Sequence, residues 1–123
     1  MQDDQARWDD QLARLETSLR ADDRDAALEQ LIAFDADLAG YVRGEERVLF
    51  PALERFTGMS THATGSMRAE HRSLRRLVDT LGQLIARRDR QQGLEVIGNL
   101  RSVLLLHIEK EAWVLSPLLR AVG

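Results

Sequence analysis

Glu45 and Glu111 each interrupt a run of apolar residues that recurs at helical spacing, and so do two of the three histidines, His71 and His107. A carboxylate turned toward a protein core costs several kcal/mol unless something neutralises it. Two carboxylates and two neutral imidazoles balance one divalent ion, and together leave coordination positions open for water or a small ligand. Such a donor set suits iron, manganese or zinc, and residue types alone do not choose among them. Tyr41 breaks the same stripe as Glu45, and Gln5 breaks a further one. Tyr41 with Glu45, and His107 with Glu111, stand four residues apart, so each pair projects from one helix face. The competing reading is a metal-free cluster of hydrogen-bonded polar residues. His62, in a Gly/Ser/Thr-rich segment, is expected at the surface.

Positioning these side chains requires helices in register, and the chain carries a repeat that supplies it. Shifted by 66 residues, positions 1–57 lie on 67–123 without a gap. Glu45, Val48, Leu49, Pro51 and Leu53 then meet Glu111, Val114, Leu115, Pro117 and Leu119, and Gln5 meets His71. Apolar residues at alternating steps of three and four mark four helices. The first stripe runs Met1, Gln5, Trp8, Leu12, Leu15, Leu19, and the second Leu31, Phe34, Leu38, Tyr41, Glu45, Val48, Ala52. The third runs Met67, His71, Leu74, Val78, Leu81, Ile85, and the fourth Ile97, Leu100, Leu104, His107, Glu111, Val114, Leu118. Polar segments 21–25 and 87–92 predict tight turns inside two helical hairpins. Segment 57–66 predicts the linking loop, with Ser66 as a helix cap. Pro51 and Pro117 are expected to kink or end their helices. The expected fold is all-α: an antiparallel up-down-up-down four-helix bundle, one domain over residues 1–123. An open pair of hairpins or a swapped dimer uses the same pattern.

Composition narrows the function. A 123-residue chain that is 44% hydrophobic and 30% charged builds a core without staples. With no cysteine, disulfides, thiolate metal sites and thiol nucleophiles are excluded. A net charge of −3 argues against nucleic acid as the main partner. The arginines between residues 68 and 90 read as a solvated face. No apolar run is long enough for a membrane span, and the acidic start is unlike a secretory signal, so the cytoplasm is the expected compartment. No nucleophile–base pair or phosphate-cradling glycine loop is present.

Glu45-Glu-Arg-Val-Leu-Phe-Pro51, Met67-Arg-Ala-Glu-His71 and His107-Ile-Glu-Lys-Glu111 resemble the hemerythrin-like, HHE cation-binding family, over nearly the whole chain. That resemblance implies a non-heme di-iron centre held by four histidines and two bridging glutamates. Carried over by position, His71, His107, Glu111 and Glu45 form one complete half-site. Gln5 and Tyr41 stand where the family has its other two histidines, which argues against reversible oxygen carriage. A second ion would need the Gln5 amide oxygen and a Tyr41 phenolate. Otherwise the Tyr41 hydroxyl fills the vacated half-site by bonding Gln5 or a glutamate. Trp8 would cap that side, while Glu46 and Glu70 are supporting or surface groups.

The expected role is thus binding of one metal, iron first, or an unsymmetrical pair, for sensing oxygen, nitric oxide or peroxide or for metal handling. Were it an enzyme, metal-centred redox chemistry on those molecules is the chemistry left. The alternative is a metal-free bundle acting in protein interaction. The state is monomer or homodimer, with Leu105 and Leu106 as candidate contact residues.

Overall fold

A computed structural model describes the backbone of residues 2–56 and 61–122, and the side chains of residues 4–55 and 64–113. Helix α1 spans Gln2–Arg20 and α2 spans Arg24–Gly44; a π-helical turn, Glu45–Leu49, then leads into α3, Phe50–Phe56. Helices α4, Thr61–Ala86, and α5, Arg90–Val122, complete the bundle. Each of α1 and α4 packs against both α2 and α5, and every neighbouring pair runs antiparallel. The closed bundle excludes the open-hairpin arrangement. No helix among the described residues is long and apolar enough to cross a membrane.

The two hairpin turns are built alike. At the first, Asp22 adopts φ 55°, its N–H donates to the Leu19 carbonyl, and the Asp23 N–H donates to Ser18. At the second, Arg88 adopts φ 60°, donates to Ile85, and Asp89 donates to Leu84. Both are helix ends closed by one left-handed residue. Asp23 and Asp89 then cap the next helices, accepting from the Ala26 and Gln92 N–H groups at 3.2 Å. The helices abut closely at this end: a methyl group on Gly93 would sit 3.2 Å from Leu19.

Above the turns lies a continuous apolar core from Trp8, Leu12, Leu15 and Leu19 across to Ile97, Leu100 and Leu104, with Phe34, Leu38, Leu74, Val78 and Leu81 between. A smaller cluster, Phe50, Leu53 and Met67, closes the far end. The polar residues form the layer between the two.

Three expectations about backbone are corrected. Pro51 does not end its helix, because the π turn absorbs it. The Phe50 N–H reaches back five residues to the Glu45 carbonyl, and the wider turn relieves the clash a proline ring makes with the carbonyl four residues before it. The extra residue shifts the helix phase. Phe50 and Leu53 therefore face inward, while Val48, placed on the second stripe by regular spacing, is 69% exposed. Pro117 likewise lies inside α5, which continues to Val122; its side chain, with Val114 and Leu118, falls outside the described side chains, as does Met1. Finally, Ser66 is not a cap. Helix α4 begins at Thr61, five residues earlier, and Thr64 and Met67 are already buried in it. Thr64 donates to Glu54 at 2.6 Å, tying the new helix to α3 and outweighing the cost of Gly65. Residues 57–60 lie outside the described backbone, and the His62 side chain outside the described side chains.

Candidate metal centre

Three helical runs converge on one point. Glu45 comes from the π turn, His71 from α4 and His107 from α5, and all three are buried. Glu45 Oε1 lies 2.8 Å from His71 Nε2 and 2.7 Å from His107 Nε2, and the two Nε2 atoms are 3.4 Å apart. Among the described residues this is the one group of three such side chains with donor atoms gathered closely enough for a metal ion. The triangle matches the donor spacing around a metal ion on its His71–His107 edge and is a few tenths of an ångström tighter on its two Glu45 edges. Metal–ligand bonds of about 2.1 Å at tetrahedral or octahedral angles separate neighbouring donors by roughly 3.0–3.4 Å.

Glu111, buried on α5, brings Oε2 to 3.7 Å from His107 Nε2. The Tyr41 hydroxyl donates to Glu111 Oε2 and stands 3.0 Å from Glu45 Oε2, joining the carboxylates from the α2 side. Trp8 packs edge-on against Tyr41, centroids 4.8 Å apart, and seals this side as expected. Gln5 is half-buried but, among the described residues, shares no hydrogen bond with the cluster; of the six candidates it is the one the structure leaves apart.

The surroundings of the two imidazoles differ. His107 Nδ1 is 2.7 Å from Glu70 Oε1, and Glu70 Oε2 is 2.5 Å from Lys110 Nζ. His71 stacks on Phe50, centroids 5.5 Å apart, and its buried Nδ1 has no hydrogen-bond partner. Glu46, its nearest carboxylate, is 3.6 Å away. The Glu70–Lys110 contact and the Phe50 stacking were not legible in the sequence. An acid beside His71 was visible, but the helix rotation that aims it at His107 was not.

The electrostatics mark a site short of positive charge. Burial raises Glu45, yet hydrogen bonds from His107 and then His71 outweigh it and hold the carboxyl well below the usual range. Burial lowers His107, but Glu45 and Glu70 hold it above its ordinary value. Glu111 is pushed up to about 8, by burial first and then by Glu45. Tyr41 is pushed far up by burial and its bond to Glu111.

The geometry itself tests the fit of a cation. With Nδ1–H given to Glu70, a neutral His107 presents the Nε2 lone pair to a carboxylate oxygen 2.7 Å away. Two lone pairs at that distance repel unless a proton or a metal ion lies between them. A small divalent ion between the donors meets that requirement, as a second proton on His107 does in its absence. A cavity of about 180 Å³ reaches His71 between α2 and α4, with Leu38, Ala39, Val42 and Leu74 on its walls and the charged Asp35, Arg43 and Arg75 also lining it. Of the neighbouring arginines, Arg75 pairs with Asp35 and Arg68 with Glu54 at 3.0 Å.

The family model of the hemerythrin HHE cation-binding domain matches residues 2–119. No curated protein and no solved structure matches the chain.

Proposed function

Since the chain belongs to the hemerythrin HHE cation-binding family, we propose that it holds one non-heme metal ion, iron by preference, on His71, His107, Glu45 and Glu111. The observation that carries this is the convergence of both Nε2 atoms on one Glu45 oxygen in a buried layer. When bound, the ion supplies an open coordination position for a small ligand.

The rest is performed by the chain. His71 and His107 present neutral nitrogen donors, the two carboxylates balance the charge, and Phe50 and Trp8 exclude water at either side. Tyr41 fills the half-site that a second ion would need: its hydroxyl donates to Glu111 Oε2 and lies 3.0 Å from Glu45 Oε2. The reading is thus a mononuclear, unsymmetrical centre. The cavity that reaches His71 is large enough for a molecule of the size of oxygen or nitric oxide, as a small-ligand sensing role needs.

Metal analysis of protein purified without a chelating tag, after growth with added iron and manganese, is expected to give about one ion per chain. Chelation should lower the melting temperature, since an ion present at 100 times its Kd stabilises the folded state by about 2.7 kcal/mol. For a domain of this size that is on the order of 10 °C. A chain that stays metal-free and melts identically with and without chelator would be an interaction bundle instead.

A further inference from the structure

An imidazole ligates through one nitrogen only when the other carries the proton, so whatever binds the far nitrogen decides whether the ring is ready for a metal. On this basis, which rests on the metal reading above, we propose that Glu70, held by Lys110, is a positioning residue for His107: it accepts a hydrogen bond from Nδ1–H, keeps the proton on that nitrogen and so leaves the Nε2 lone pair for the ion.

Both oxygens of Glu70 are committed. Oε1 lies 2.7 Å from His107 Nδ1 and Oε2 lies 2.5 Å from Lys110 Nζ, which also donates to Ser66 Oγ at 3.1 Å. The carboxylate is fixed from two helices, with Glu70 and Ser66 on α4 and His107 and Lys110 on α5. Lys110 also neutralises Glu70, so this acid adds no uncompensated charge beside the centre. His71 has no equivalent. Its Nδ1 is unpartnered, Glu46 stops at 3.6 Å, and the ring is oriented by stacking on Phe50 at an interplanar angle of 14°. Packing fixes a ring plane but not a tautomer. The two imidazoles, alike in their approach to Glu45, are therefore unequal ligands, and His107 is the preset one.

The test compares Glu70→Ala with Glu46→Ala, using zinc(II) affinity from competition with a chromogenic chelator. Glu70→Ala is expected to weaken zinc binding by about 10–100-fold, the usual effect of losing such a partner. Glu46→Ala should stay within about threefold of wild type, because no hydrogen bond is lost. Glu70→Gln keeps volume and an acceptor oxygen but loses charge; it should fall between the two and carries the test if Glu70→Ala does not fold. Nitrogen-15 spectra of the zinc-loaded protein supply a readout that bulk packing does not move. Wild type should show one histidine with a hydrogen-bonded Nδ1 proton, and that signal should vanish in Glu70→Ala. Unchanged zinc affinity in Glu70→Ala and Glu70→Gln, equal losses in Glu70→Ala and Glu46→Ala, or a surviving signal overturns the assignment while leaving the metal centre standing. A wild-type chain that binds no zinc, iron or manganese overturns both.

Discussion

The two sides of the polar layer correspond position by position in the repeat, yet differ in chemistry and in one turn of backbone, the π turn at Glu45 having no counterpart at Glu111. On the side of α4 and α5, His71 and His107 bring their Nε2 atoms to one Glu45 oxygen, and Glu111 stands 3.7 Å from His107 outside that triad. On the side of α1 and α2, positions 66 residues earlier offer Gln5, Tyr41 and Glu45, of which only Glu45 belongs to the close-packed triad. Tyr41 turns the remaining space into a hydrogen-bonded plug backed by Trp8. Helix position supplies a direction into the core, and side-chain identity decides whether that direction ends in a ligand or in a filler.

The most demanding way to break this comparison is to equalise the two sides. In Gln5→His with Tyr41→His, the metal content measured by plasma emission is expected to rise from about one ion per chain to about two, since four imidazoles and two carboxylates satisfy a pair of ions. An unchanged content would mean that backbone placement, and not side-chain type, separates the sides. Next in size is a contrast with the dry core. Leu15→Ala, fully buried well below the polar layer, should cost about 2–5 kcal/mol in urea unfolding. It should leave metal content as it was; a loss of metal here would show that the site depends on the entire bundle and not on its own layer.

The smallest expected effect is the sharpest. Tyr41→Phe keeps the ring against Trp8 and removes one hydroxyl, so buried carboxylate oxygens lose a partner, at a cost of about 1–3 kcal/mol in the metal-free protein. One ion per chain should still bind. If Tyr41→Phe abolishes binding and its charge-transfer colour is present in iron-loaded wild type, Tyr41 is a ligand and the plug reading fails.

Much of the architecture could be read from residue order. Stripe positions such as Leu12, Leu81 and Leu100 are buried as their spacing demands, and the turn segments sit within three residues of their expected limits. The donor residues were also legible, because buried acids and imidazoles interrupt an otherwise apolar rhythm. What spacing could not carry was any departure from regular helix. Val48 and Phe50 exchange places because one widened turn adds a residue, a change set by Pro51 and by packing at Leu53 and Met67. The start of α4 was hidden for a related reason: Thr64 is held by Glu54 across the hairpin, a tertiary contact that local propensity does not record. Gln5 was placed by symmetry alone, and half a stripe of symmetry does not bring an amide into contact.

The widened turn at Glu45–Leu49 also bears on how this chain should be aligned with others. Its surplus position is taken up inside one loop of backbone, so a sequence lacking a residue between Glu45 and Phe50 can keep both side chains where they are by reverting to ordinary winding.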